Sequence, residues 1–164
     1  MDAAAFARAA KRPVIIILDN VRSAHNVGSV FRTADSFAMA EIWLCGIAGK
    51  PPHRDITKTA LGAEETVPWR YFSSTEEALE ALPEGSRLIA VEQAEDSISL
   101  DAFEPVPGIC YALVFGHEVR GVSDAVMARA DQAIEIPQEG TKHSLNISVA
   151  AGIVLWHFRM LPPS

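Results

Sequence analysis

The sequence predicts an α/β domain built on a mostly parallel sheet flanked by helices, and two observations carry that expectation. Residues 14–18 read VIIIL, a largely β-branched run with no polar alternation, as expected of a strand buried on both faces. Shorter apolar runs recur at Glu41–Cys45, Leu88–Glu92, Cys110–Phe115 and Ala133–Ile136, with helical stretches interposed. Strands that alternate with helices at this interval favour crossover connections and a parallel sheet.

Taken in order, Asp19 and Asn20 stop the first strand, and the spacing predicts a helix over 27–38 with His25 or Asn26 as its cap. The second strand follows at Glu41–Cys45. Thr75–Leu82 and Ser123–Arg129 read as helices, and a last helix is expected from His143 to Phe158. Ile147, Val149, Ile153, Val154, Leu155, Trp156 and Phe158 put apolar groups nearly all round that last helix. A helix without a polar face is buried, either in its own core or against a second subunit, and a homodimer through this helix is the expectation. The stretches LPEGS and EQAEDSISLDAFEPVPG read as loops and a solvated face.

With 164 residues, 49% of them hydrophobic, the chain can bury one sound core, and we read a single domain over 1–164. The longest apolar run is far too short to span a bilayer, and residues 1–11 lack the apolar stretch of a secretory signal, so a soluble cytoplasmic protein is expected. Cys45 and Cys110 sit in strand-like apolar contexts and read as core thiols. His25, His53, His117, His143 and His157 form no H-x-x-x-H pair, and no metal is expected.

A formal charge of −7 argues against nucleic-acid binding by the whole surface. Its distribution says something else: residues 1–60 carry eight Lys/Arg against five Asp/Glu, and the remainder six against sixteen. Arg8, Lys11, Arg12, Arg22, Arg32, Lys50, Arg54 and Lys58 could therefore line one side that faces a polyanion.

Ligands of open α/β sheets bind outside the carboxyl ends of the strands. Three polar, glycine-containing islands follow three strands: Asn20–Arg32, Phe115–Gly121 (FGHEVRG) and Ile136–Asn146 (IPQEGTKHSLN). Each alone has a structural explanation, with Asn26 or Ser144 as helix caps and Gly116 and Gly121 as turn residues. There is no G-x-G-x-x-G after the first strand, no G-x-x-x-x-G-K-[ST] and no G-x-S-x-G, which removes the common dinucleotide, P-loop and hydrolase readings.

The three islands together are similar to the motifs of the SpoU (TrmH-like) branch of the SPOUT RNA methyltransferases. HNVGSVFRTA resembles the first motif, N-x-G-[AS]-x-x-R; FGHEVRG the second, G-x-E-x-x-G; and IPQEGTKHSLNISVAAG the third, with its S-L-N-x-S-V-A core. The order and separation match over roughly residues 14–158. Gln138 departs from the family, which commonly has an apolar residue after the motif-three proline.

The resemblance implies a dimeric enzyme that transfers a methyl group from S-adenosylmethionine to a ribose 2′-hydroxyl of tRNA or rRNA. It also implies a fold whose C-terminal segment makes a deep trefoil knot. Arg32 would be the main catalytic residue, binding phosphate and stabilising the 2′-oxygen. Asn26 would position the ribose or Arg32, Glu118 would orient Arg32 or take the proton, and Ser144 and Asn146 would complete the polar wall. The cofactor would be held near Gly116, Ile136, Leu145 and Val91. Without the extra N-terminal RNA-binding domain that many relatives carry, target choice would fall to loops such as Lys50–Lys58, the Arg8–Arg12 segment and the dimer surface. A non-catalytic RNA-binding scaffold and a base-nitrogen methyltransferase of the same fold are the alternatives.

Overall fold

A computed structural model describes residues 1–142 and 144–164. Seven strands form one sheet: β1 Arg12–Asp19, β2 Met39–Cys45, β3 Trp69–Phe72, β4 Arg87–Val91, β5 Ile98–Ser99, β6 Tyr111–Phe115 and β7 Gln132–Glu135. Their spatial order is β3-β2-β1-β6-β4-β7-β5, and every pairing is parallel. The expected parallel sheet is present, with short outer strands at β3 and β5 that carry no apolar run.

Among the described residues seven α-helices flank the sheet: α1 Ala3–Arg8, α2 Ala24–Ser36, α3 Arg54–Ala60, α4 Ala63–Thr66, α5 Thr75–Glu80, α6 Asp124–Arg129 and α7 Ile147–Phe158. The period-two alternation of β1 explains how its apolar run, residues 14–18, serves both faces. Val14, Ile16 and Leu18 pack with Val27, Val30 and Phe31 of α2 and Val154 and Phe158 of α7. Ile15 and Ile17 join the opposite layer with Ala78 and Leu79 of α5 and Val126 of α6.

Helix ends differ from the sequence-based expectations. Ser23, rather than His25 or Asn26, caps α2, its hydroxyl accepting from the Asn26 N–H at 3.2 Å. Asn26 is thereby inside the first turn. Asn146 caps α7 through its Oδ1, which accepts from the Ser148 N–H at 2.9 Å, so the helix starts at Ile147. Ser144 precedes the cap, and His143, where the sequence placed the helix start, lies outside the described residues. Part of the expected Lys50–Lys58 loop is the start of α3, capped by His53.

Only half of α7 is covered. Ile147, Ala151, Val154, Leu155 and Phe158 are buried, while Val149, Ile153 and Trp156 stay 50%, 39% and 55% exposed. Among the described residues no helix is long and apolar enough to cross a membrane.

Candidate active site

The second and third polar islands and the start of the first, Asn20–Ser23, meet at the carboxyl ends of the strands. The sheet order reverses between β1 and β6, and Asp19, at the end of β1, is buried there. Its Oδ1 accepts from Thr75 Oγ1 at 2.5 Å and from Asn20 Nδ2 at 3.0 Å, and its Oδ2 from the Ser123 N–H at 2.9 Å. Those bonds make Asp19 a fixed joint between β1, α5 and the start of α6.

One strand further on, a cleft opens over β6, β4 and β7. Its wider part, about 590 Å³, is lined by Val91, Gly116, Glu118, Ser144, Leu145 and Asn146 among others. Its narrower part, about 110 Å³, adds Ile134, Ile136 and Gln138, and shares Val91, Glu92, Ser144, Leu145 and Ala150. Thus Val91, Gly116, Ile136 and Leu145, the four residues expected around a cofactor, border one continuous cleft, with Glu118, Ser144 and Asn146 on its edge.

The loop from β6 packs tightly beneath this cleft. A Cβ at Gly116 would stand 2.1 Å from the Gly121 carbonyl carbon and 2.2 Å from the Val122 nitrogen, and Gly121 has φ +72°. Only glycine at both positions lets the hairpin fold back so closely. Glu92 completes the joint: its Oε2 accepts from the Val122 N–H at 2.8 Å. Glu92 is the residue that sequence reading passed over. A glutamate at the carboxyl end of a central parallel strand was the available signal.

Within one chain the Glu118 carboxylate meets backbone groups of the first island. Its two carboxylate oxygens accept from the backbone N–H groups of Arg22 and Ser23, both at 3.0 Å, joining the second island to the first. Partial burial pushes its carboxyl up, but these N–H groups, with its own backbone and His117, outweigh that and hold it below the ordinary range. A carboxylate so held is a weaker base than a free one.

Arg32 is exposed on the outer face of α2 and lines two other cavities, not the cleft. One, about 390 Å³, is bordered by Ser29, Thr33, Lys58, Thr59, Ser148 and Val149 as well. Asn26 borders none of these cavities. Two of the eight basic residues in the first third make internal hydrogen bonds. Arg12 is spent on the Arg159 and Phe37 carbonyls, both at 2.8 Å, and Lys11 on the Ala9 carbonyl at 2.9 Å.

Comparison with known proteins places this geometry. The chain is 34% identical over 145 residues to the tRNA (guanosine(18)-2′-O)-methyltransferase of Thermus thermophilus, covering 86% of this chain and 71% of that protein. An AdoMet-bound rRNA methyltransferase from Sinorhizobium meliloti superposes with a TM-score of 0.82 at 26% identity, over 90% of this chain and 56% of the other. A structure described as giving insights into the 2-OH methylation of C/U34 on tRNA matches with a TM-score of 0.78 at 29% identity, over 88% of this chain and 93% of that one. The model of the SpoU rRNA methylase family matches residues 13–156, so with the motifs, the parallel sheet and the cleft in agreement, the chain belongs to that family.

Proposed function

We propose that the chain is an S-adenosylmethionine-dependent RNA methyltransferase that acts on a ribose 2′-hydroxyl of tRNA or rRNA, as a homodimer. The observation that carries this is the convergence of Val91, Gly116, Ile136 and Leu145 on one cleft with Ser144 and Asn146 at its edge. The activities printed for the relatives, on tRNA and rRNA, support the substrate class.

The cleft fits the cofactor. Its wider part lies within the about 300–1,000 Å³ usual for small-molecule sites. Val91, Ile134, Ile136 and Leu145 offer an apolar wall to an adenine ring, and Glu92, Gln93 and Ser144 a polar rim to a ribose and an amino-acid tail. Gln138 stands on that same wall and gives its narrow end an amide. S-adenosylmethionine, when bound, supplies an electrophilic methyl group on its sulfonium sulfur.

The protein's own contribution is positioning and electrostatics. Asn146 Oδ1 is occupied by the Ser148 N–H and hydroxyl, at 2.9 and 2.6 Å, which turns the Asn146 amide N–H groups outward as donors. The planar guanidinium of Arg32 binds a phosphate and stabilises the 2′-oxygen as negative charge develops. The proton leaves to a phosphate oxygen or water. Because Arg32 and the cleft are separate in one chain, the arginine serving each cleft comes from a second copy. The uncovered side of α7, with Val149, Ile153 and Trp156, is the seam, and Val149 already borders the Arg32 cavity. The knot of the family accompanies this reading.

The deciding experiment incubates the protein with methyl-labelled S-adenosylmethionine and unmodified total RNA, then digests the RNA and identifies the labelled nucleoside by mass spectrometry. Label on a ribose 2′-oxygen is expected. Label on a base nitrogen, or no label together with no calorimetric binding of millimolar S-adenosylmethionine, overturns the proposal in favour of a base methyltransferase or a scaffold respectively.

A further inference from the structure

We infer that Lys58 is a second cation that grips the RNA backbone beside Arg32, the two side chains clamping a phosphate next to the target ribose. This rests on the methyltransferase reading above and adds a residue that lies in none of the three motifs.

The close contact of α2 and α3 creates the arrangement. At Gly28 the helices approach so nearly that an added Cβ would lie 2.3 Å from the Ile56 carbonyl oxygen. Thr59 Oγ1 donates to the His25 carbonyl at 2.8 Å and locks the crossing. Ser29, Arg32 and Thr33 share one face of α2 by their i, i+3 and i+4 spacing, and Lys58 and Thr59 come up beside them from α3.

Charge selects the ligand. No carboxylate borders this cavity of about 390 Å³, although the chain carries a net −7. Of the acidic groups on the neighbouring turns, Asp55 lies 3.7 Å from His25 Nε2 and Asp35 accepts from Thr66 Oγ1 at 2.5 Å, while Asp35 and Glu65 border the other cavity that Arg32 lines. Among the described residues no salt bridge or side-chain hydrogen bond engages Arg32 or Lys58. The hydroxyls of Ser29 and Thr33 donate back to the His25 and Ser29 carbonyls, both at 3.1 Å, so the two cations are the groups left to hold an anion. A polyanion whose phosphates repeat along a chain suits a paired site, and each neutralised phosphate releases counterions.

The test compares wild type, Lys58→Ala, Lys58→Arg and Arg129→Ala in binding a pool of in vitro transcribed tRNA and rRNA across a salt series. Arg129 pairs with Glu80 at 2.8 Å on an exposed surface, so its removal changes the net charge equally but elsewhere. Lys58→Ala is expected to weaken RNA binding about tenfold at low salt and to make the slope of log affinity on log salt shallower by about 0.7–0.9. Lys58→Arg should restore the slope, Arg129→Ala should keep the wild-type slope, and calorimetric affinity for S-adenosylmethionine should be equal in all four. A wild-type slope in Lys58→Ala, or an equal loss in Arg129→Ala, overturns the clamp. Failure of the wild type to bind cofactor or methylate RNA strikes the functional reading instead, while the slopes still judge Lys58 as an RNA contact.

Discussion

The carboxylate of Glu118 accepts a hydrogen bond from the backbone N–H of Ser23 at 3.0 Å, and with the matching bond from Arg22 it clasps the loop after β6 to the entrance of α2. Removing both acceptors by Glu118→Ala is expected to cost about 1 kcal/mol, the bonds being discounted for solvent at this exposed site. The acid dependence has a definite sign. Because the folded carboxyl is held below the ordinary range, the unfolded chain binds the proton first as pH falls. The clasp therefore stabilises fully above the ordinary glutamate range and is lost as pH drops through it to the folded value. Urea titrations over that window should show a shallower acid limb in Glu118→Ala; identical limbs in both proteins would rule out the clasp.

Gly28→Ala sets two effects against each other. Alanine in a helix is favoured over glycine by about 1 kcal/mol. Against this, the new methyl would lie 2.1 Å from Thr59 Oγ1 and 2.3 Å from the Ile56 carbonyl oxygen. A hydroxyl can rotate aside, but a backbone carbonyl cannot, so overpacking of about 1–3 kcal/mol should win. Thermal melts should show a midpoint lower by several degrees. Adding Thr59→Ala should recover only part of it, and complete recovery would show that the Ile56 contact is not limiting.

The central sheet is legible in the sequence because burial on both faces leaves a compositional mark: Val14–Leu18 admits no polar residue. Strand β3 leaves no such mark, since Arg70 and Tyr71 at its middle are exposed, and β5 has only two residues. The cleft is legible through its glycines and its S-L-N stretch, which are forced by close approach and by the last helix cap. The partners of Glu118 are not, because a backbone N–H acceptor bond leaves no trace in residue identity. The separation of Arg32 from the cleft is equally silent, since helical periodicity reports which face is apolar and not which cavity a polar face meets.

Burial pushes the Cys45 thiol up to about 12, only partly offset by the Thr75 hydroxyl. At neutral pH it stays protonated, and native protein should react negligibly with Ellman's reagent at Cys45 while denatured protein reacts at once. The alkaline limb follows with opposite sign to that of Glu118. The unfolded thiol ionises near about 8.5, the folded one near 12, so stability should fall as pH rises between them. Cys45→Ala removes that contribution, and an unaltered alkaline limb in the variant would count against it. Rapid labelling of Cys45 in the native state would do the same.

The proposed division of labour between two copies of the chain can be tested by complementation. Arg32→Ala keeps the cleft and loses the cation, whereas Ala150→Trp fills a position that borders both parts of the cleft and keeps the cation. Each homodimer should be inactive in methyl transfer, and Arg32→Ala alone should still bind S-adenosylmethionine. Co-expression with two distinguishable tags yields mixed dimers in which one cleft, on the Arg32→Ala copy, faces an intact arginine from the other copy. Random pairing of two isologous subunits makes about half the dimers mixed, each with one working site of two, so activity should return to about a quarter of wild type. If Arg32 served its own cleft, mixed dimers would contain no complete site and activity would stay at background. Ile153→Asp on the uncovered side of α7 should abolish the recovery by separating the subunits, and sedimentation should report a monomer. Recovery that survives in a sedimenting monomer would mean that α7 is not the seam.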